Sequence, residues 1–216
     1  MIKKKKILGV ILARAGSQRI VNKNLKKIKN KNLIEITAEK AIKSKIFNLI
    51  VFYSDIKKKD AIKKKKLINN IVFLKRNKKF SNATISSEDT LLSMFDKFRY
   101  LKKYENFMLL QPTSPLRTIN HIRKSYNIYK KNNLKTLVSV IKVKNRKNKK
   151  NYFNKDNNNF KTNGAIYITN VSFFLKKKHL YNKKTYLMQM SKKSSIDIDS
   201  NSDLRIAKLY LKKNNL

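Results

Sequence analysis

The 216-residue chain is long enough for one domain with a well-buried core, since 41% of its residues are hydrophobic. The absence of cysteine excludes disulfides and thiolate chemistry and predicts a cytoplasmic protein, and no apolar run approaches the roughly 18 residues of a membrane span. The formal net charge of +42 predicts attraction to anionic ligands.

Short apolar runs alternate with amphipathic segments along the chain, which is the pattern of βαβ units around a mostly parallel sheet. Strands are predicted at residues 7–12, 49–53, 71–74, 107–110, 136–143, 165–169 and 186–190. Helices are predicted at residues 33–46, in the lysine-rich stretch after Asp55, after the capping sequence at Ser86 and from about Asn201. The sequence therefore predicts a single α/β domain over residues 1–216.

One segment, residues 144–162, differs from the rest in composition. It consists almost wholly of Lys, Asn and Arg, with Tyr152, Phe153 and Phe160 as its large apolar side chains. Such a composition favours a solvated excursion or a shrunken appendage of the domain over a part of its core.

The loop after the first strand reads A-R-A-G-S-Q-R at residues 13–19 and continues to Lys23 and Asn24. Small residues at the end of a leading strand let backbone N–H groups approach phosphate oxygens. Arg14, Arg19 and Lys23 add the positive charge that a polyphosphate needs. The loop matches neither the Walker A nor the dinucleotide fingerprint, so an ordinary basic loop stays open as the alternative.

Asp197 and Asp199 lie in the run S-I-D-I-D near the end of the chain. At positions i and i+2 of an extended segment, both side chains point to the same face. Two carboxylates on one face repel each other unless a cation lies between them, which makes a Mg²⁺ site one interpretation. The alternative, which this spacing by itself favours, is one capping and one solvated aspartate before the last helix.

Both prolines of the chain stiffen the loop at residues 111–117, which follows a predicted buried strand. Ligand-binding groups commonly lie at this end of a strand in α/β folds, and a plain rigid turn is the alternative. Asn163 and Gly164 suit a tight turn, which needs no function. His121 and His179 are predicted on helix surfaces, without an acid or nucleophile at a suggestive spacing, so no catalytic role is predicted for them.

Five motifs occur in a fixed order between residues 6 and 211: A-R-A-G-S-Q-R-I-x-x-K-N, a strand ending in S-D, L-L-Q-P-T-S-P-L-R-T, N-G-A-I-Y-I and S-I-D-I-D. Together they resemble the acylneuraminate cytidylyltransferases, the CMP–sialic acid synthetases and their bacterial relatives. The resemblance implies a Rossmann-like nucleotidyltransferase fold, a three-layer α/β sandwich with a mixed, mostly parallel sheet. Residues 144–162 would be a reduced form of the excursion that this family uses for dimerisation.

The resemblance also implies a reaction, in which a sialic-acid-like nonulosonic acid of N-acylneuraminate or legionaminate type attacks CTP, giving a CMP-sugar for surface glycans and pyrophosphate. Arg14, Lys23 and Asp199 would be catalytic, and Asp197 and Asp199 would hold Mg²⁺. The nucleotide-binding residues would be Arg14, Ala15, Gly16, Ser17, Lys23, Asn24, Ser86 and Ser87. The residues that contact the sugar acid would be Gln111, Arg117 and Asn163. The expected partners are a second copy of the chain and these substrates, and neither a specific nucleic acid nor a membrane.

The chain departs from the family at Ala15, where the usual A-R-G-G-S has its first loop glycine. If this position needs a positive φ, alanine there costs on the order of 1 kcal/mol. Together with the shortened residues 144–162, Ala15 leaves a second hypothesis open, a weakened relative that binds nucleotide without turnover.

The charge leaves a third hypothesis open, a basic nucleic-acid-binding protein. Only 8 of the 54 basic residues are Arg, and Lys is spread over nearly every segment beside abundant Asn and Ile. This bias is typical of an AT-rich coding sequence, and no zinc-finger, helix-turn-helix or RNA-recognition signature accompanies it.

Overall fold

The computed structural model describes residues 6–17, 19–82, 84–144, 151–155 and 158–213. The strands are β1 (Ile7–Ala13), β2 (Lys27–Ile28), β3 (Lys31–Asn32), β4 (Leu49–Ser54), β5 (Val72–Lys75), β6 (Asn106–Leu109), β7 (Thr136–Val143), β8 (Tyr152–Lys155), β9 (Asn158–Asn170) and β10 (Tyr186–Gln189). The α-helices are α1 (Leu33–Ser44), α2 (Lys58–Ala61), α3 (Lys65–Ile68), α4 (Ser87–Lys97), α5 (Ile119–Lys131), α6 (Val171–Lys177) and α7 (Asn201–Lys213). In this described part of the chain, no helix is both long and apolar enough to cross a membrane.

The main sheet has eight strands in the order β10-β7-β9-β6-β1-β4-β5, with β8 paired to β9 outside this path. β1 is parallel to β4 and β6, β4 is parallel to β5, and β7 is parallel to β10. β9 is antiparallel to β6, β7 and β8. The parallel strands β1, β4, β5 and β6 therefore end at one edge of the sheet, which carries the loops after Ala13, Ser54, Lys75 and Leu109.

Helices cover both faces of the sheet because successive side chains of a strand point to opposite faces. In β1, Ile7 and Ile11 pack with α1 and α5, whereas Leu8 and Val10 pack with α4 and α6. A third apolar cluster joins α7 to the β2–β3 hairpin and includes the buried Leu204. The predicted three-layer α/β sandwich with a mixed, mostly parallel sheet is confirmed.

The lysine-rich segment after Asp55 forms the two short helices α2 and α3 instead of the one predicted helix. Between these helices, Ile62 has extended backbone angles, φ −138° and ψ 120°. Ala61 and Ile62 are both fully buried. Adjacent side chains of a helix point about 100° apart, so burying this neighbouring pair favours a break in the helix.

Where the structure describes residues 144–162, the segment contains β8 and the first residues of β9, which extend the sheet. β8 pairs with the first residues of β9, which also pair with β7. Phe153 and Phe160 pack against the cluster that contains α4, and the ring centroids of Phe153 and Tyr181 are 5.5 Å apart. The aromatic residues give this segment an apolar face, which its mainly polar composition does not indicate. Residues 145–150 and 156–157 lie outside the described part of the chain.

Candidate active site

A cavity of about 440 Å³ opens at the edge where the parallel strands end. Ligands commonly bind at this edge of α/β sheets, because loops and helix N-termini present polar groups there. The lining residues are Leu12, Ala13, Arg14, Ser17, Arg19, Ile20, Lys23, Asn24, Arg76, Ile85, Ser86, Ser87, Thr90, Gln111, Pro112, Thr113, Asp197 and Asp199. Four residues predicted from the motifs are not among them: Ala15, Gly16, Arg117 and Asn163. The remaining predicted residues come together around this one cavity.

The loop after β1 is held by one hydrogen bond to the loop after β4 and by one within itself. The Ala15 N–H donates to Asp55 Oδ1 at 3.0 Å, and the Asn24 side-chain amide donates to the Arg14 carbonyl at 3.1 Å. Ala15 is not among the described residues with a positive φ, so alanine brings no backbone strain there. A Cβ on Gly16 would meet nothing within 4 Å. The backbone at Ala15 therefore gives no support to the hypothesis of a weakened relative.

Lys23 links this first loop to the aspartate segment near the end of the chain. Its ammonium group donates to Asp199 Oδ1 at 2.9 Å and to the Ile198 carbonyl at 2.7 Å. Arg19 lies farther away, with 3.9 Å between its Nη1 and Asp199 Oδ2. The Lys23 side chain is 17% exposed and that of Asp199 is 57% exposed, so the pair lies at the cavity surface.

Asp197 lies deeper than Asp199. Burial raises the pKa of Asp197, a hydrogen bond to the Thr113 side chain opposes this shift, and the charge of Asp199 adds to it. Asp197 Oδ1 is buried and has no hydrogen-bond partner in the structure. The two aspartates therefore differ in environment, one being paired with cations and the other holding an unsatisfied oxygen.

These two carboxylates fit a Mg²⁺ site. An unpartnered buried carboxylate oxygen is costly, and a divalent cation would satisfy it. Within the described residues, no group of three or more His, Cys, Asp or Glu side chains could enclose a metal ion. This donor set suits Mg²⁺, which is commonly held by one or two carboxylates with the remaining ligands supplied by water and substrate phosphates.

Ser86 and Ser87 begin α4 at the cavity wall. The Ser86 hydroxyl accepts from the Asp89 N–H at 3.0 Å and donates to Asp89 Oδ2 at 2.6 Å, which caps the helix N-terminus. The positive end of the α4 dipole therefore lies at the cavity, where it favours an anionic ligand.

The structure corrects the prediction that Arg117 contacts the sugar acid. Arg117 is completely buried and lies outside the cavity lining. Its Nη1 donates to the Gln111 carbonyl at 3.2 Å and to the Ala165 carbonyl at 2.6 Å. Its Nη2 donates to Thr37 Oγ1 at 3.2 Å. Arg117 therefore ties the loop that carries Gln111 to β9 and α1, and the local sequence could not show this burial.

Asn163 is a second correction among the predicted substrate contacts. It is 4% exposed, and its Oδ1 accepts from the Ser139 hydroxyl at 2.6 Å. The same Oδ1 accepts from the Ala165 N–H at 3.1 Å, and Nδ2 donates to Ser195 Oγ at 2.9 Å. With these internal partners, Asn163 is placed to support the site from behind rather than to touch a ligand.

Arg76 is a cavity residue that the sequence analysis missed. It is 5% exposed, its Nη2 donates to Thr90 Oγ1 at 2.9 Å, and its Nε has no partner. Its position directly after β5 could have indicated this role, because the loop after β5 lies at the same edge of the sheet as the loop after β1. Arg76 adds a fourth cationic side chain to a cavity that Arg14, Arg19 and Lys23 also line.

A protein-family model described as cytidylyltransferase matches residues 8–214. The N-acylneuraminate cytidylyltransferase of Escherichia coli O18:K1:H7 is 29% identical over 231 residues, covering 97% of this chain and 53% of that protein. The chain thus spans about half the length of that relative. The CMP-N,N'-diacetyllegionaminic acid synthase of Legionella pneumophila is 29% identical over 230 residues. This alignment covers 97% of this chain and 97% of that protein.

The fold is shared with a solved structure of CMP:2-keto-3-deoxy-manno-octonic acid synthetase in complex with CTP. The TM-score is 0.70 at 14% sequence identity, with 96% of this chain and 99% of that chain covered. The family match extends from β1 into α7 and so includes every segment that lines the cavity. The chain therefore belongs to the cytidylyltransferase family of nucleotidyltransferases, as the order of its motifs predicted.

Proposed function

We propose that this protein is a Mg²⁺-dependent cytidylyltransferase that activates a sialic-acid-like nonulosonic acid of N-acylneuraminate or legionaminate type. The observation that carries this proposal is the cavity, where the cations Arg14, Lys23 and Arg76 meet the carboxylates of Asp197 and Asp199. A triphosphate needs such cations, and a bound Mg²⁺ needs such carboxylates. The names of the E. coli and Legionella relatives support the choice of sugar acid.

In the proposed reaction, the anomeric hydroxyl oxygen of the sugar acid bonds to the α-phosphorus of CTP. The bond from the α-phosphorus to the bridging oxygen breaks, pyrophosphate leaves with the electron pair, and the hydroxyl loses its proton. Such chemistry depends on positioning and charge neutralisation more than on covalent intermediates. The chain must therefore hold the triphosphate, orient the hydroxyl and provide an acceptor for the proton.

Arg14 and Lys23 would offset the negative charge of the triphosphate. The contacts of Lys23 with Asp199 and the Ile198 carbonyl fix its ammonium group before any nucleotide binds. Mg²⁺, when bound by Asp197 and Asp199, would neutralise phosphate oxygens in the transition state. The same two carboxylates would assist proton loss from the attacking hydroxyl, and Gln111 at the cavity wall would orient the sugar acid.

We further propose a homodimer in the cytoplasm. Both proposals rest on the family resemblance and on the sequence composition. β8 and the start of β9 lie within residues 144–162, which by the family resemblance would be a reduced form of the dimerisation excursion. Light scattering of the purified chain would test the dimer.

The reaction is tested by measuring pyrophosphate release from CTP and Mg²⁺ with N-acetylneuraminate, legionaminate and pseudaminate as separate substrates. We expect turnover with the neuraminate or legionaminate type and CMP-sugar formation in equal amount. Asp199→Ala should lower the rate by about a hundredfold or more, because it removes a metal ligand. Asp96→Ala, which removes an exposed carboxylate of α4, is the matched control and should leave the rate unchanged. Absence of pyrophosphate with every sugar acid would refute the proposal, and calorimetry would then show whether CTP still binds.

A further inference from the structure

The strand β9 contains an irregularity directly behind the aspartate segment. Val138 of β7 pairs with Tyr167, whereas Val140 pairs with Thr162, so β9 has extra residues opposite Ser139. The Ser139 hydroxyl accepts from the Ile166 N–H at 2.8 Å and donates to Asn163 Oδ1 at 2.6 Å. This β-bulge, residues 163–166, is therefore closed by its own buried polar contacts.

The bulge packs against two side chains of the cavity. Gly164 has a φ of +73°, and a Cβ placed on it would lie 2.7 Å from Gln111 Oε1 and 3.1 Å from Asp197 Oδ2. These distances are shorter than ordinary van der Waals contact, so only a glycine lets the two side chains approach the backbone this closely. The side chains of Gln111 and Asp197 thus pack directly against the backbone of the bulge.

The segment that carries Asp197 is fastened on both sides of that residue. Upstream, the buried Asn163 amide donates to Ser195 Oγ at 2.9 Å. Downstream, the fully buried Ile198 donates its N–H to the Thr113 carbonyl at 2.8 Å. Asp197 therefore lies between one side-chain anchor and one backbone anchor.

We propose that Asn163 and Ser195 are positioning residues, whose hydrogen bond holds the Asp197 carboxylate in the place where it binds a divalent cation. This inference rests on the proposed Mg²⁺-dependent function. Asp197 Oδ1 has no hydrogen-bond partner, so the place of the carboxylate depends on its hydrogen bond to the Thr113 side chain and on the two anchors of its segment. Loss of the Ser195 anchor lets the preceding backbone shift, and residues that orient a metal ligand commonly change metal affinity by 10–100-fold.

The test compares Ser195→Ala with Ser194→Ala, a change of the adjacent serine, whose hydroxyl contacts Ser191 instead of Asn163. Mn²⁺ binding to the protein with CTP, without sugar acid, is followed by water-proton relaxation. We expect Ser195→Ala to bind Mn²⁺ about tenfold more weakly, whereas Ser194→Ala binds it like the wild type. Ser195→Thr keeps the hydroxyl and should restore the affinity. Thermal unfolding confirms that all variants are folded.

Turnover provides the second measurement. For Ser195→Ala, the Mg²⁺ concentration at half-maximal rate should rise about tenfold and kcat should fall, while the KM for CTP stays near that of the wild type. Equal Mn²⁺ affinity of Ser195→Ala and the wild type would overturn the positioning role, as would a wild type that binds no Mn²⁺. A wild type that binds Mn²⁺ but releases no pyrophosphate would overturn only the proposed function.

Discussion

Arg76 and Arg117 are both almost fully buried, and neither forms an ion pair within the part of the chain that the structure describes. Burial lowers the pKa of both guanidinium groups, and the Nε of each lacks a hydrogen-bond partner. Arg117 donates hydrogen bonds to two carbonyls and a hydroxyl and does not line the cavity. Arg76, in contrast, is a lining residue of the cavity. Access to the cavity, rather than charge, thus separates the arginine that stabilises the fold from the one that can meet a ligand.

Lys40 is a third buried cation, in α1 beneath the loop at residues 111–117. It is 9% exposed, and its ammonium group donates to the Pro115 carbonyl at 2.6 Å. Burial, aided by the charge of Arg117, lowers the pKa of Lys40 from 10.5 to about 8. Between these two pKa values the unfolded chain holds a proton that the folded chain has released. The free energy of unfolding therefore rises as the pH increases from about 8 to 10.5.

We therefore expect Lys40→Met to abolish the part of the pH dependence of the free energy of unfolding that Lys40 causes. Between about pH 7.5 and about pH 10, the free energy of unfolding of the wild type should rise relative to that of the variant by roughly 2–3 kcal/mol. Urea unfolding of both proteins at the two pH values measures the difference. Lys124→Met, at an exposed position of α5, controls for the loss of one positive charge. A difference between wild type and Lys40→Met that does not change with pH would contradict the prediction.

At the scale of elements, the strands β1, β4, β6, β7 and β10 agree with the predicted strands to within one residue at each end. Their apolar runs are short and bounded by polar loops, so the period of the pattern is clear. β9 is different, because the prediction covered only residues 165–169 of a strand that begins at Asn158. Its first half is polar in sequence and becomes a strand through pairing with β7 and β8, which no local pattern specifies.

The bulge in β9 leads to a prediction for Gly164→Ala. Alanine at a φ of +73° costs about 1–2 kcal/mol, and its Cβ would displace Gln111 and Asp197. We expect kcat to fall by at least about tenfold, more than the loss of stability alone explains. Steady-state kinetics and thermal unfolding measure the two effects. Gly16→Ala, with open space around its Cβ, should leave the thermal midpoint unchanged. Full activity of Gly164→Ala would show that the bulge does not position these side chains.

At the scale of the whole molecule, the net charge of +42 acts on every anion in solution. The positive charge is carried mainly by lysines distributed over the chain, and the proposed binding of a triphosphate would account for the cations in the cavity. Lysine-driven contacts with nucleic-acid phosphates release counterions, so they weaken steeply with salt.

We expect binding to duplex DNA at low salt and its loss by about 200 mM salt. Fluorescence anisotropy with two labelled duplexes of unrelated sequence measures both the salt dependence and any preference between them. We expect CTP-dependent turnover to persist at the higher salt, because enclosed contacts are screened less than exposed ones. Tight binding of one duplex above about 200 mM salt would favour the nucleic-acid-binding hypothesis.

The sequence by itself determined the α/β class, most of the strands and the family, because strand periodicity is local and the motifs keep a fixed order along the chain. It also identified Arg14, Lys23, Asp197 and Asp199, which all line one cavity. The tertiary structure decided which neighbouring polar residues face that cavity.

Only the tertiary structure assigned Arg117 and Asn163 to the supporting framework and Arg76 to the cavity. Burial and hydrogen-bond partners depend on contacts between residues far apart in the chain, such as that between Asn163 and Ser195. Residue type and spacing contain no information on such contacts. For this reason the motifs predicted where the site lies, and the packing behind it decided which side chains can touch a ligand.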